Sequence, residues 1–247
     1  MKSTYSKTTR ELFKEFLDTE KIQKGQKFNR QKIRDWFQKN YPKTKPSTIE
    51  QHINLFTINI PSRIHHNIHN DGREDLFIQL DDGTFRLYDK NNDPAPIHKD
   101  SLIENNGEKS EEEINSEEGR EFAYESDLKN FLSKNLNIIE KGLTLYEEEG
   151  ITGIEYDAGG RNIDILAVDK SKNFVVIELK VSKGYDRVVG QILRYIGWIK
   201  SNLADKNQKV RGIIIARRIS EDLKIACAET ENIKLFEYNL SVSLKVI

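Results

Sequence analysis

Apolar and polar residues follow two different periods along this chain, and the change of period divides it. Residues 160–168 and 174–180 are dense in β-branched and aliphatic side chains, with the polar stretch Asp169-Lys170-Ser171-Lys172-Asn173 between them. That pattern predicts two adjacent antiparallel strands joined by a tight turn. Residues 210–216 and 233–238 predict further strands, and residues 241–247 a shorter terminal one. Elsewhere in this half the period becomes helical. Phe122, Leu128, Phe131 and Leu132 predict one helix, leading into Leu136, Ile138 and Ile139. Val189, Ile192, Ile196 and Ile199 predict a second over 186–199, and Leu223, Ile225, Ala226 and Ala228 a third over 221–230. Alternating sheet and helix signals predict an α/β domain in which helices cover the faces of a mixed sheet.

The first hundred residues are patterned differently. Leu12, Phe13 and Phe16 mark an amphipathic helix, and Ile33, Trp36 and Phe37 a second over 29–40 with Asn29 as its cap. Ile49, Ile53 and Phe56, with Leu55 near the edge, mark a third that starts at Ser47 or Thr48. Residues 75–80 and 84–88, separated by Asp81-Asp82-Gly83, predict a hairpin. Three helices followed by a hairpin suggest a winged helix-turn-helix domain over residues 1–98. In that arrangement the third helix would enter the major groove of duplex DNA and the hairpin would lie on the backbone. Ser47, Thr48, Gln51, His52 and Asn54 are then candidate polar contacts, and Lys43, Lys45, Arg63 and Arg73 candidate phosphate contacts. Protein interaction and structural support are the other uses of such a domain.

Charge sharpens the division. The formal net charge of −1 conceals +4 over residues 1–98, −6 over 99–124 and +1 over 125–247. Residues 99–117 have little apolar pattern and are expected to be an acidic linker, with a second domain over 118–247. A chain that is 36% hydrophobic and 32% charged suits a soluble protein. With no secretion signal and no apolar run long enough to span a membrane, a cytoplasmic setting without a membrane partner is expected. The single cysteine, Cys227, lies on an apolar helical stretch and is read as a packing residue. His65, His66 and His69, with His52 upstream, lack an accompanying cysteine pair and are read as loop or interface residues rather than zinc ligands.

The charges within the apolar strands need a separate explanation. Residues two apart on a strand share a face, so Glu178 and Lys180 project together while Ile177 and Leu179 project oppositely. An unpaired carboxylate in a buried sheet is costly, and a divalent cation would supply the missing charge. Asp164 and Glu178, with the backbone carbonyl of Leu179, offer the hard oxygen ligands that Mg²⁺ prefers, and substrate phosphate oxygens can complete the shell. Lys180 could then orient or help deprotonate an attacking water, which is phosphodiester hydrolysis chemistry. On the helix that follows, Arg187, Gln191, Tyr195 and Trp198 recur at three- and four-residue spacing and form one face. Gln191 could hold a water or a phosphate there, and Tyr195 could buttress Lys180 or touch substrate. Glu125, on the first helix of this domain, is a possible third acid. The alternatives are a surface Glu178–Lys180 ion pair with a solvated Asp164, and ordinary packing for Tyr195 and Trp198.

Taken together, Glu125, the approach Gly160-Arg161-Asn162-Ile163-Asp164, Glu178-Leu179-Lys180 and Gly190-Gln191-Ile192-Leu193-Arg194-Tyr195-Ile196-Gly197-Trp198 resemble the catalytic domain of the NucS/EndoMS group within the PD-(D/E)XK nuclease superfamily. The resemblance covers about residues 118–240 and implies a restriction-endonuclease-like fold that cleaves DNA with a divalent metal. It implies that Asp164 and Glu178 hold metal and that Lys180 is the catalytic lysine. Glu125 matches the acid of the first helix, Gln191 the glutamine near the metal, and Tyr195 the aromatic residue one turn on. The superfamily's proline before the first acid is Ile163 here, a position with no necessary chemical role.

The expected activity is therefore Mg²⁺-dependent DNA endonuclease cleavage, with Mn²⁺ as a substitute. Restriction or another anti-invader role is the first expectation, because a separate winged helix could select targets. Mismatch or branched-DNA repair is the alternative, and a noncatalytic DNA-binding or recruitment factor with a nuclease-like fold is a third reading. Arg187, and Arg217 with Arg218 beyond the 210–216 strand, could meet the DNA backbone. Cutting both strands would be easier for a homodimer, whereas a monomer would nick them in turn.

Overall fold

The structure, a computed structural model, describes residues 5–98, 117–180 and 186–239, and of residues 117–124 and 186 the backbone alone. The expected terminal strand, most of the expected linker and the Phe122 side chain lie outside the described residues. The chain forms two compact units, Met1–Lys109 with Tyr146–Asp157, and Ser110–Leu145 with Ala158–Ile247.

In the first unit, α1 spans Thr9–Thr19, α2 Arg30–Asn40 and α3 Pro46–Phe56, followed by a 3-10 turn at Pro61–His65. A capping box between Thr8 and Glu11 starts α1, and the Asn29 side chain caps α2 through the Lys32 amide. Pro46 at the first turn starts α3 without a side-chain cap. Strands β1 (Phe77–Gln79) and β2 (Phe85–Leu87) form the expected hairpin. An aromatic core joins these elements: Phe13 packs against Phe37, Phe56 and Phe77, and Phe28 against Phe16, Phe77 and Phe85.

The unit is completed by chain from much later in the sequence. Strands β4 (Glu147–Glu148) and β5 (Ile151–Thr152) form a hairpin through Glu149 and Gly150, both with positive φ, and β6 follows at Ile154–Asp157. Gln51 Nε2 on α3 donates to the Asp157 carbonyl at 2.8 Å, the Thr9 amide donates to Glu149 Oε2 at 2.6 Å, and the Asn67 amide donates to the Gly150 carbonyl at 2.8 Å. Tyr156 is buried and hydrogen-bonded to Ser47. Ser47, Gln51, His52 and Asn54 are buried with it, so they do not form the exposed groove-reading face expected of α3. The physical reason is that the strap takes up Ser47 and Gln51, Arg30 Nη2 donates to Asn54 Oδ1 at 3.0 Å, and His52 turns its Nδ1 to its own helix. Thr48 alone of the five is half-buried, and its carbonyl lies 2.7 Å from His52 Nδ1. Burial holds the His52 and His66 imidazoles below their ordinary pKa, His66 at about 3.

Arg63 is also corrected. It is 0% exposed and paired with Asp75, out of reach of a phosphate backbone. Arg73 is exposed but chelated by Asp71, Lys43 is exposed, and Lys45 is half-buried.

In the second unit, α4 (Glu117–Lys134) precedes β3 (Thr144–Leu145), β7 (Asn162–Val168), β8 (Phe174–Lys180), α5 (Asp186–Asn202), β9 (Val210–Ala216), α6 (Glu221–Ala228) and β10 (Ile233–Glu237). The strand order is β10-β9-β8-β7-β3, with β8 and β10 parallel to β9 and the β3–β7 and β7–β8 pairs antiparallel. Odd-numbered residues make one face: Ile165, Ala167, Val175, Ile177, Leu179, Ile213 and Ile215 pack with Leu128 and Leu132 of α4. On the even face, a side chain at Gly212 would come within 2.7 Å of Ile192 Cδ1, so glycine there lets α5 lie close to the sheet. Several side chains depart from the expected stripes, among them Ile225 on α6, which is 70% exposed while Leu223 and Cys227 are the residues that helix buries. Val188 rather than Val189 is fully buried on α5, and Phe131 on α4 is 52% exposed because the buried stripe runs through Leu128 and Leu132, one turn apart.

Replacing Tyr156 with alanine removes a large buried side chain from the strap. The expected cost is about 3 kcal/mol, with faster amide hydrogen exchange across residues 46–56 and unchanged exchange in β8. Exchange that rises only within residues 154–157 would contradict the coupling of the strap to α3.

Candidate active site

Strand register brings the two acids together. Ile165 pairs with Ile177 across β7 and β8, so one step further along the same ladder Asp164 faces Glu178, both on the even face. Asp164 is 8% exposed and Glu178 1%. The Leu179 amide donates to Asp164 Oδ2 at 2.8 Å. Glu178 Oε1 accepts from Lys180 Nζ at 2.8 Å and from Gln191 Nε2 at 2.5 Å. Among the described residues, Glu178 Oε2 is buried with no hydrogen-bond partner.

The helix face of α5 locks this arrangement. Gln191 and Tyr195 are one turn apart, and Gln191 Nε2 also lies 3.3 Å from the Tyr195 hydroxyl. That hydroxyl donates to the Asn162 carbonyl at 2.6 Å, which ties α5 to the start of β7 two residues before Asp164. Tyr195 is therefore a buried brace on Gln191 and β7 rather than a direct support for Lys180. Trp198 closes on the Gly159-Gly160 turn, where both glycines have positive φ and a side chain at Gly159 would approach Trp198 Nε1 to 2.8 Å. Arg194 stacks its guanidinium on the Tyr195 ring at 4.6 Å.

Burial dominates the electrostatics. It pushes the Asp164 carboxyl up to about 6, against the pull of the Leu179 amide, Lys129 and Lys180. Glu178 is pushed up to about 8, first by burial and then by the Asp164 charge, with Lys180 opposing. For Lys180 burial acts downward, but Glu178 and Asp164 hold the ammonium above its ordinary pKa. Burial also raises Tyr195. Glu125 is half-buried on α4 and adds negative charge at Asp164, Glu178 and Lys180. Lys129, one turn after Glu125, acts on Asp164 and was not singled out from the sequence, although its i,i+4 spacing from Glu125 was visible there. Arg187, Arg217 and Arg218 are exposed, and the structure gives none of them a place in this cluster.

The donors can be compared with what a hard cation needs. Among the described residues there is no group of three or more His, Cys, Asp or Glu side chains that could hold a metal together. The site offers two facing carboxylates, one with an unused buried oxygen. That set fits Mg²⁺ or Mn²⁺, which commonly use one or two carboxylates and take other oxygens from water and phosphate.

The two parts of the chain resemble different families. Residues 124–244 match the endonuclease NucS C-terminal domain, and residues 8–87 match a family described as a domain of unknown function, DUF7669. Endonuclease NucS of Pyrococcus abyssi is 33% identical over 102 residues, covering 40% of this chain and 36% of the relative. That of Sulfolobus acidocaldarius is 32% identical over 98 residues, covering 40% of this chain and 35% of the relative. A solved repair endonuclease from Pyrococcus abyssi is 28% identical, with a TM-score of 0.38 over 46% of each chain. The chain thus spans about a third of the length of these curated relatives. Its C-terminal part is a NucS/EndoMS-like nuclease domain.

The raised carboxyl pKa values carry a stability consequence. Groups titrating higher in the folded state contribute stability that is fully present below the ordinary carboxylate range near pH 4 and lost as pH rises through about 6 for Asp164 and about 8 for Glu178. Metal-free protein is therefore expected to lose melting temperature between pH 4 and pH 9. Glu178→Gln should flatten the upper part of that decline and raise the melting temperature at pH 9 by several degrees. Thermal melts in EDTA check this, and a variant that melts lower than the parent at pH 9 would contradict it.

Proposed function

From this NucS-like C-terminal domain, we propose that the protein is a divalent-metal-dependent DNA endonuclease that hydrolyses phosphodiester bonds. The observation that carries the reading is the buried Glu178 carboxylate, bonded on one oxygen by Lys180 and Gln191 and unpartnered on the other, facing Asp164. A bound Mg²⁺ or Mn²⁺ supplies charge for the phosphoryl group and the leaving oxygen. Asp164, Glu178 and the Leu179 carbonyl would hold it.

The chain's own residues do the rest. Gln191 fixes the rotamer of Glu178, and Tyr195 fixes both Gln191 and the approach to Asp164. Lys180, paired with Glu178 Oε1 at 2.8 Å, would position the attacking water and offset phosphate charge. Glu125 lies at the margin of this field and tunes it. Duplex DNA is the proposed substrate, and a homodimer the proposed route to cutting both strands.

Repair of mismatched or branched DNA is the proposed setting, in place of restriction. The likeness of residues 124–244 to the NucS endonuclease C-terminal domain supports repair, because the resemblance implies relatives that cut mismatched or branched DNA. Restriction needs an exposed target-selecting helix, and most of α3 is buried. The winged-helix reading of the N-terminal unit is kept as a proposal for holding DNA, without groove reading by α3.

Purified protein should cleave DNA in Mg²⁺ or Mn²⁺ and prefer a mismatched or branched duplex to its matched counterpart. Asp164→Ala and Lys180→Ala should each lower the rate by about 10²-fold or more with folding retained. Cleavage absent across matched, mismatched and branched substrates would refute the activity. Equal, site-specific cutting of matched and mismatched duplexes would restore restriction.

A further inference from the structure

The positive charge of residues 1–98 comes entirely from one stretch. Residues 21–45 hold nine Lys and Arg against a single acid, Asp35, whereas the remainder of 1–98 holds eight bases and twelve acids. The stretch comprises the loop after α1, the whole of α2 and the turn into α3. Its exposed side chains are polar: Lys21, Lys24, Lys27, Arg34, Lys39 and Lys43 are interspersed with exposed Gln23, Gln26, Gln31 and Gln38.

These residues form a connected surface. Lys27 reaches Asp82 at 2.8 Å and Lys24 reaches Asp89 at 3.0 Å, which lays the loop along the β1–β2 hairpin, and Phe28 bridges to Phe85 beneath it. At the other side, Glu20, Asn29, Lys32, Trp36 and Lys39 line a shallow groove between the end of α1 and α2. The hairpin tip itself presents exposed Asp81 and Asp82, which would repel a phosphate chain. Lys21, Lys39 and Lys43 have no ion-pair partner among the described residues. Lys24 and Lys27 are 69% and 59% exposed, and surface pairs of that kind hold their lysines only weakly. An incoming phosphate can compete for them.

We propose that the face formed by the 21–29 loop and α2 is a docking surface for the phosphate backbone of duplex DNA. This rests on the endonuclease reading above and changes where the N-terminal unit holds its substrate: α2 and its loop, with α3 as the buried support. Clustered lysines with interleaved amide side chains suit backbone contacts, which position a duplex without reading its sequence. The duplex held this way is bound with strong salt dependence and little sequence preference.

The test uses the full chain with Lys21→Gln, Lys24→Gln and Lys39→Gln combined, and a control with Lys7→Gln, Lys14→Gln and Lys90→Gln. Affinity for a labelled short duplex is measured in EDTA across a salt series, cleavage is measured separately in Mn²⁺, and thermal melts verify folding. The first variant should bind about tenfold more weakly, with the slope of log affinity against log salt smaller by about 2–3, and the control should match the parent. Unchanged affinity and slope in the first variant, with cleavage present in the parent, overturn the surface and leave the endonuclease reading standing. A parent that binds through these lysines but cuts no DNA upholds the surface and overturns the endonuclease reading. An equal loss in the control reduces the effect to net charge and overturns the surface. Tighter binding of single-stranded RNA than of duplex DNA through the same lysines overturns the choice of occupant.

Discussion

A buried carboxylate with half of its hydrogen bonding missing is the constraint around which the C-terminal unit is arranged. Glu178 sits in the middle of an apolar strand, where an ordinary side chain would be Val or Ile, and its Oε2 has no hydrogen-bond partner among the described residues. Burying such a group costs free energy that only a counter-charge or a proton can offset. Lys180 and Gln191 supply part of the compensation through Oε1, and the facing Asp164 works against it. The site is thus stored electrostatic strain, maintained because the sheet and α5 fix the positions of its members more firmly than the charges can move them.

That firmness comes from backbone register and one glycine. The β7–β8 ladder aligns Asp164 with Glu178, and the Leu179 amide holds Asp164 in place. Gly212 lets α5 approach the same face through Ile192 and Ile196, which brings Gln191 within 2.5 Å of Glu178. A shift of one residue in β8 would send Glu178 and Lys180 to the opposite face and dismantle the site entirely. In the N-terminal unit a comparable constraint acts on α3, where Gln51 is bonded to the 146–157 strap and Asn54 to Arg30.

Much of the C-terminal unit was legible because its periods are local. Dense β-branched runs gave β7 to β10 in place, and i,i+3/i+4 spacing put Gln191 and Tyr195 on one face. The partners of those side chains were less so: Tyr195 bonds to a backbone carbonyl of β7, a contact that no spacing reveals. In the first unit Asn29 marks the start of α2 and Asp81-Asp82-Gly83 the hairpin turn, but the burial of α3 has no local signal. Ser47, Gln51, His52 and Asn54 look like a solvent face by residue type, and the segment that buries them lies about a hundred residues away. A local trace of that segment was Glu149-Gly150, a turn pair between Glu147-Glu148 and Ile151-Thr152. Arg63 failed for the same reason, because its partner Asp75 and its burial are tertiary facts.

If the Asp164–Glu178 pair is held ready for a divalent cation, binding must displace the protons that burial keeps on it. Calorimetric titration with Mn²⁺ at pH 7, repeated in buffers of different ionisation enthalpy, counts those protons directly. The account predicts saturable binding with release of about one proton per cation, and loss of both in Glu178→Gln. Binding without proton release, or none at all in the parent protein, would contradict it.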